Sequence, residues 1–225
     1  MAAKDTEDRK PDDAEQEPSS TSFDELLTRL QDGGRAIVLG APGLGKTACL
    51  VALAERVMSE SDSAVAVFVP IGDWTAEPQS FSGFAASELQ VTEAELNALA
   101  DAGRLTWVLD GWNEIGAAQL PSAEAHLRAL ERRSPGRAIV ASTRGRGAMP
   151  RLAGSRRLEM RPLSDADRRK FVRMSGLPGS ADLIREIESR PELDDLTRTP
   201  LFLAAAIAIV RSGAKLPSTQ FEVLG

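Results

Sequence analysis

Hydrophobic residues follow two different patterns along this chain. Between residues 36 and 160, short and nearly continuous apolar runs alternate with stretches in which apolar residues recur every three or four positions. The runs have the length of buried strands, and the recurring positions are typical of helices packed on them. This alternation predicts an α/β fold, a parallel sheet flanked by helices. The predicted strands are 36–39, 64–71, 105–109, 138–141 and 157–160.

The pattern becomes entirely helical after residue 164, which predicts a small C-terminal helical subdomain. Ser164 and Asp167 have the spacing of a helix N-cap with an acidic third residue. In this region the predicted helices are 164–175, 180–188, 192–197 and 199–212. Earlier helices are predicted at 22–33, 46–58, 84–89, 93–102 and 121–133.

Composition and charge set the first 20 residues apart from the rest of the chain. The chain has 225 residues, of which 42% are hydrophobic, so it can bury a real core. Its net charge of −6 is concentrated in residues 1–20, where seven acidic residues stand against three basic ones. That segment has no apolar periodicity, so we predict a disordered acidic tail. The rest is close to neutral and gives no indication of nucleic-acid binding.

Two residue types are nearly absent, and this excludes some kinds of site. Cys49 is the one cysteine and His126 the one histidine, so a disulfide framework or a cysteine–histidine metal cluster is excluded. The longest apolar run, 200–210, is too short to cross a bilayer. The N-terminus lacks the apolar stretch of a signal peptide. We therefore expect a cytoplasmic protein without a membrane span.

A phosphate-binding motif lies between the first predicted strand and the next helix. Residues 40–47 read Gly-Ala-Pro-Gly-Leu-Gly-Lys-Thr, which matches the P-loop pattern G-x-x-x-x-G-K-T. Glycines let the backbone come close to an anion, and the loop N–H groups and the helix N-terminus attract phosphate. In such loops the lysine, here Lys46, contacts the β- and γ-phosphates, and the hydroxyl, here Thr47, holds Mg²⁺. The predicted ligands are therefore a nucleoside triphosphate and Mg²⁺.

Acidic residues follow the third predicted strand. Asp110 comes directly after strand 105–109, at the sheet edge where open α/β folds bind ligands, and is predicted to hold Mg²⁺ with Thr47. Glu114 lies four residues later, where a carboxylate can take a proton from the attacking water. Arg144 follows the next strand and is a candidate contact for the γ-phosphate; Arg146 is a weaker one.

These motifs resemble those of the NACHT family of STAND-type P-loop NTPases, which are relatives of AAA+ proteins. The resemblance covers about residues 23–222 and includes the P-loop, the segment Asp110-Gly-Trp-Asn-Glu114, the strand end at 142–144 and the segment Thr199-Pro200-Leu201. It implies ATP or ADP with Mg²⁺ and a switch that controls oligomerisation in signalling or defence; slow hydrolysis is expected because Asn113 replaces the first acid of the usual Asp-Glu pair. It also implies that Pro200 lies near the adenine.

The sequence thus predicts three parts: the tail 1–20, a P-loop NTPase core at 21–162, and a helical lid subdomain at 163–225 that begins a longer architecture. The predicted catalytic residues are Lys46, Glu114 and Arg144, and the predicted metal ligands are Thr47 and Asp110. The residues predicted to bind the nucleotide cofactor are Gly40, Pro42, Gly43, Leu44, Gly45, Lys46, Thr47, Ala48, Asp110 and Pro200.

Some alternatives stay open at the level of sequence. Asn113 occupies the first position of the acidic pair typical of the family, so a non-hydrolysing nucleotide-bound scaffold is one alternative. A small-molecule P-loop kinase is another, although the Asp-Gly-Trp-Asn-Glu segment disfavours it. Adenine is expected rather than guanine, because the chain lacks the guanine-reading motif Asn-Lys-x-Asp. Nucleotide-dependent self-association is expected, whereas effector and sensor partners are not indicated.

Overall fold

Parallel strands form the centre of the molecule. The computed structural model describes residues 28, 34–60, 62–74, 79–133, 139–143 and 149–216. Within these residues the sheet has five strands in the order β2-β3-β4-β1-β5, and every neighbouring pair is parallel. The strands are β1 (Ala36–Leu39), β2 (Val65–Pro70), β3 (Leu105–Asp110), β4 (Ile139–Thr143) and β5 (Arg156–Glu159). The predicted α/β class is confirmed.

Helices connect these strands and then form the C-terminal subdomain. Those of the α/β part are α1 (Lys46–Glu60), α2 (Ile71–Trp74), α3 (Phe81–Glu88), α4 (Glu93–Asp101) and α5 (Leu120–Arg133). Those of the helical subdomain are α6 (Asp165–Met174), α7 (Ser180–Glu188), α8 (Pro191–Leu196) and α9 (Pro200–Arg211). A 3-10 turn, Trp112–Glu114, follows β3 directly.

The sheet separates two apolar clusters. Side chains of a strand alternate between the faces, so Trp107 of β3 packs with Trp74 and Phe81 on one face while Val108 packs with Leu50 on the other. A third cluster lies within the helical subdomain and includes Val172, Leu203 and Ile207. Each part of the fold therefore buries apolar surface of its own.

Several element boundaries differ from the prediction by one or a few residues, and two of these differences have a local reason. Strand β2 ends at Pro70, because Ile71 begins the short helix α2. The apolar run 64–71 includes Ile71, so the sequence pattern extended the strand by one residue and gave no sign of the helix. Helix α3 begins at Phe81 instead of residue 84, because the Ser80 hydroxyl accepts a hydrogen bond from the Gly83 amide at 2.9 Å and caps the helix. The predicted helix 22–33 and the tail 1–20 lie outside the described residues, apart from the helical Thr28.

The helical subdomain is held together by capping and by a buried arginine. Ser164 and Asp167 form the predicted capping box at the start of α6. Arg168 is 2% exposed and donates hydrogen bonds to the Asp194 carboxylate at 2.6 Å and to the Thr197 hydroxyl at 3.1 Å. These bonds join α6 to α8 and to the segment that leads into α9. Among the described helices, all are too short or too polar to cross a membrane.

Candidate nucleotide-binding site

The loop between β1 and α1 has the conformation that its glycines allow. Gly43 and Gly45 have φ values of +79° and +88°, a region that disfavours side chains. Leu44 is 6% exposed and anchors the loop in the interior. Apart from Gly45 and its two chain neighbours, no heavy atom of the described residues lies within 4 Å of the position that a Cβ on Gly45 would take. The loop backbone is therefore open at Gly45, as the approach of a phosphate group requires.

Lys46 bends back over this loop. Its ammonium group donates hydrogen bonds to the carbonyl oxygens of Gly40 at 2.9 Å and of Ala41 at 3.2 Å. Gly40 itself is buried, and a Cβ there would lie 3.2 Å from the Cβ of Met160. The positive charge predicted to contact phosphate is thus held at the mouth of the loop, directly after the open glycine.

The two predicted metal ligands are adjacent in space. The Thr47 hydroxyl donates a hydrogen bond to Oδ2 of Asp110, with an O···O distance of 2.6 Å. Thr47 belongs to the first turn of α1, and Asp110 is the last residue of β3. A hydroxyl and a carboxylate are the hard oxygen donors that Mg²⁺ takes from proteins, usually with waters and substrate phosphates. The residues present therefore fit a Mg²⁺ ion.

Glu114 is held by the turn that follows β3. Gly111 has a φ of +85° and turns the chain away from the strand, and the Glu114 amide then donates to the Gly111 carbonyl at 2.7 Å. Trp112 is 1% exposed and anchors the turn in the core. The Glu114 side chain is exposed at the same sheet edge as Asp110. Solvent access of this kind is required of a base that acts on water.

The start of α9 lies directly against the P-loop. The Leu201 amide donates a hydrogen bond to the Gly43 carbonyl at 3.2 Å. A Cβ on Gly43 would lie only 2.9 Å from Cγ2 of Thr199. Pro200, predicted near the adenine, stands between these two residues at the first position of the helix, a place that suits proline. The helical subdomain therefore contacts the loop itself.

The remaining predicted residues are distributed around this centre. Pro42 and Ala48 are exposed on the loop and the first turn of α1. Arg144 and Arg146 lie outside the described residues. Burial raises the pKa of the Cys49 thiol, which keeps it protonated and in agreement with a packing role.

Two contacts at this site are not signalled by any motif in the sequence. One is between Gly43 and the Thr199–Leu201 segment, and the other is between Gly72 and Glu114. Each joins residues far apart in the chain, and neither has a local pattern that signals it. The one available hint was the glycine at position 72, which comes directly after the predicted strand 64–71.

Comparison with known proteins gives matches in structure only. No family model matches the chain, and no curated protein matches it in sequence. The Orc1 protein of Aeropyrum pernix, solved with DNA, superposes with a TM-score of 0.58 at 16% identity over 90% of this chain and 63% of its own. Domain III of the replication initiation protein DnaA from Thermotoga maritima gives 0.57 at 14% identity, over 87% and 84% of the two chains.

A replication initiator DnaA bound to AMPPCP and single-stranded DNA also gives a TM-score of 0.57, at 13% identity over 84% of this chain. This chain spans 59% of that DnaA chain and 63% of the Orc1 chain. At such low identity the likeness concerns the fold. The chain therefore shares with these replication-initiator proteins the fold of a parallel sheet flanked by helices.

Proposed function

We propose that this chain is a Mg²⁺-dependent, slowly hydrolysing ATP switch of the NACHT/STAND type, which controls oligomerisation or signalling. The observation that carries the proposal is the hydrogen bond from the Leu201 amide to the Gly43 carbonyl. It links the phosphate-binding loop to the helical subdomain, so occupation of the loop is coupled to the position of α9. A switch needs an element of this kind, whose arrangement the ligand biases.

The residues of the site have distinct tasks in this proposal. Lys46 and the loop amides bind the phosphates, and Thr47 and Asp110 hold Mg²⁺, which supplies charge neutralisation when bound. Glu114 takes a proton from a water molecule as the water oxygen bonds to the γ-phosphorus and the bond to the ADP oxygen breaks. Products are ADP and phosphate. Adenine is preferred because the chain lacks the guanine-reading motif, and Pro200 contacts the base.

A second candidate is a nucleotide-bound scaffold without hydrolysis, and Asn113 favours it. The Asn113 side chain is an amide and cannot act as a base. One of the two positions that are acidic in the family motif therefore cannot take a proton here. Glu114 then acts alone, and turnover is slow at most. Release of phosphate separates the two candidates, because only the switch produces it.

One set of measurements on the purified chain tests the proposal. Mass spectrometry of the extracted nucleotide should identify adenosine phosphates, and ATP with Mg²⁺ should be hydrolysed slowly. Hydrogen exchange of residues 165–211 should slow when ATP and Mg²⁺ are added, and Lys46→Ala should abolish this response. If the hydrogen-exchange rates of residues 165–211 are the same with and without ATP, the proposal of a switch is wrong. Absent phosphate release with intact binding would leave the scaffold as the function.

A further inference from the structure

Two glycines from different strand ends form a seat for the Glu114 carboxylate. Gly72 lies in α2, just after β2, and Gly111 follows β3. Strands β2 and β3 are paired with Pro70 opposite Asp110, so both glycines emerge side by side. A Cβ on Gly72 would collide with Oε2 of Glu114, and a Cβ on Gly111 would lie 3.0 Å from its Cδ. The carboxylate thus occupies the space that side chains at these positions would fill.

The backbone conformation at position 72 does not itself require glycine. Gly111 needs its φ of +85°, but Gly72 is not among the residues with positive φ. Glycine in a helix is less favourable than alanine, because it loses more conformational freedom on folding. Among the described residues, apart from the chain neighbours of Gly72 and the backbone of its own helix, the three atoms nearest to a Cβ at position 72 all belong to Glu114. The contact that requires glycine here is therefore the one with the carboxylate.

We propose that Gly72 is a positioning residue for ATP hydrolysis, and that it acts by leaving room for the Glu114 carboxylate. This inference rests on the proposed function, in which Glu114 is the base. An alanine at position 72 would push aside the end of a flexible, exposed side chain, so the fold would be little affected. The carboxylate would leave the place from which it takes the proton of the attacking water.

Steady-state kinetics of Gly72→Ala give the first test. A misplacement of about 1 Å can cost roughly 10²-fold in rate, so we expect kcat to fall by about that factor. KM and the affinity for ATP should stay unchanged, because the phosphate loop is not touched. Gly116→Ala is the matched control, since a Cβ there would lie 3.2 Å from Oε1 of Gln119 and leave Glu114 in place. A kcat of Gly72→Ala equal to that of the parent would overturn the proposal.

Two double variants separate positioning from a general loss of structure. In the Glu114→Gln background, Gly72→Ala should leave any residual rate of hydrolysis unchanged, because the base is already gone. In the Glu114→Asp background, the shorter side chain withdraws from position 72, so Gly72→Ala should cost less rate than it costs in the parent. Equal losses in all backgrounds would contradict a role through Glu114.

A stability cycle tests the seat without any hydrolysis. Gly72→Ala should raise Tm more in the Glu114→Ala background than in the parent, because only the parent has a carboxylate to displace. Equal changes in Tm in both backgrounds would contradict the contact between position 72 and the Glu114 carboxylate. If the coupling is present but the parent releases no phosphate from ATP with Mg²⁺, the proposed hydrolysis is wrong while the contact stands. The two failures are thereby distinguishable.

Discussion

The Leu201 amide is hydrogen bonded to the Gly43 carbonyl at 3.2 Å, so the first turn of α9 rests on the phosphate-binding loop. The same loop residue has a φ of +79°, and the Thr199 methyl group packs on its open side. Glycine at position 43 therefore serves the loop conformation and the domain contact together. Each of these two requirements can be tested by substitution.

Gly43→Ala should destabilise the protein and weaken ATP binding. A positive φ costs a non-glycine residue about 1–2 kcal/mol, and the added methyl group would also meet Cγ2 of Thr199 at 2.9 Å. Gly154→Ala is the control for φ alone, because Gly154 has a φ of +66° without close neighbours in the described chain. Urea unfolding and ATP titration compare the two variants. Equal effects on both quantities would refute the contact with α9.

Thr47→Val should remove the response of ATP binding to Mg²⁺. The substitution keeps the branched shape but deletes the hydroxyl that bonds to Asp110 at 2.6 Å. Thr47→Ser retains that hydroxyl and should behave like the parent. Calorimetric titration of ATP with Mg²⁺ or with EDTA measures the response. A valine variant that still binds ATP more tightly with Mg²⁺ would argue against the predicted metal ligands.

Asn113→Asp should increase the hydrolysis rate, and Glu114→Gln should remove it. The first change restores a second carboxylate in the turn after β3, and the second change deletes the base while keeping its shape. ATP affinity should be similar in both variants and the parent, which fluorescence titration with an ATP analogue can check. Turnover by Glu114→Gln at the parent rate would exclude Glu114 as the base.

Arg168→Leu should destabilise the helical subdomain strongly. Arg168 is 2% exposed and donates a hydrogen bond to the partly exposed Asp194 carboxylate, and a hydrogen bond to a charged group contributes about 1.5–3 kcal/mol. Arg169→Leu is the matched control on the same helix. Its pair with Glu188 is exposed, and such pairs contribute about 0–1 kcal/mol. Thermal unfolding of both variants measures the difference, and similar losses would mean that Arg168 is not the central contact.

Acid should weaken the same network. The hydrogen bond from Arg168, with a further one from Arg198, lowers the pKa of Asp194, and Asp165 is the other carboxylate facing these arginines. The unfolded chain, with an Asp pKa of about 3.9, then binds the proton more readily than the folded one. This stabilisation is therefore complete above about pH 4 and is lost as the pH falls through the folded pKa. Urea unfolding at pH 3 to 6 should change less steeply in Asp194→Asn; an identical slope would contradict the assignment.

Local patterns were sufficient to predict the α/β fold class and several individual features of the chain. The P-loop at 40–47, Asp110 at the end of a strand and the capping box at Ser164 all depend on residues close together in the chain. Backbone conformation and hydrophobic periodicity act over such short distances, so a sequence carries them directly. The short helix α2 was missed because its apolar residues continue the run of β2.

The order of residues along the chain was enough to predict an α/β protein with a P-loop motif, an acidic residue at a strand end and a C-terminal run of helices. The contacts between distant residues became visible in the folded protein: Thr47 with Asp110, Gly72 with Glu114, and Gly43 with Leu201. Strand order and helix packing set these pairs. They arise from the burial of apolar faces of many elements together, so no single segment encodes them.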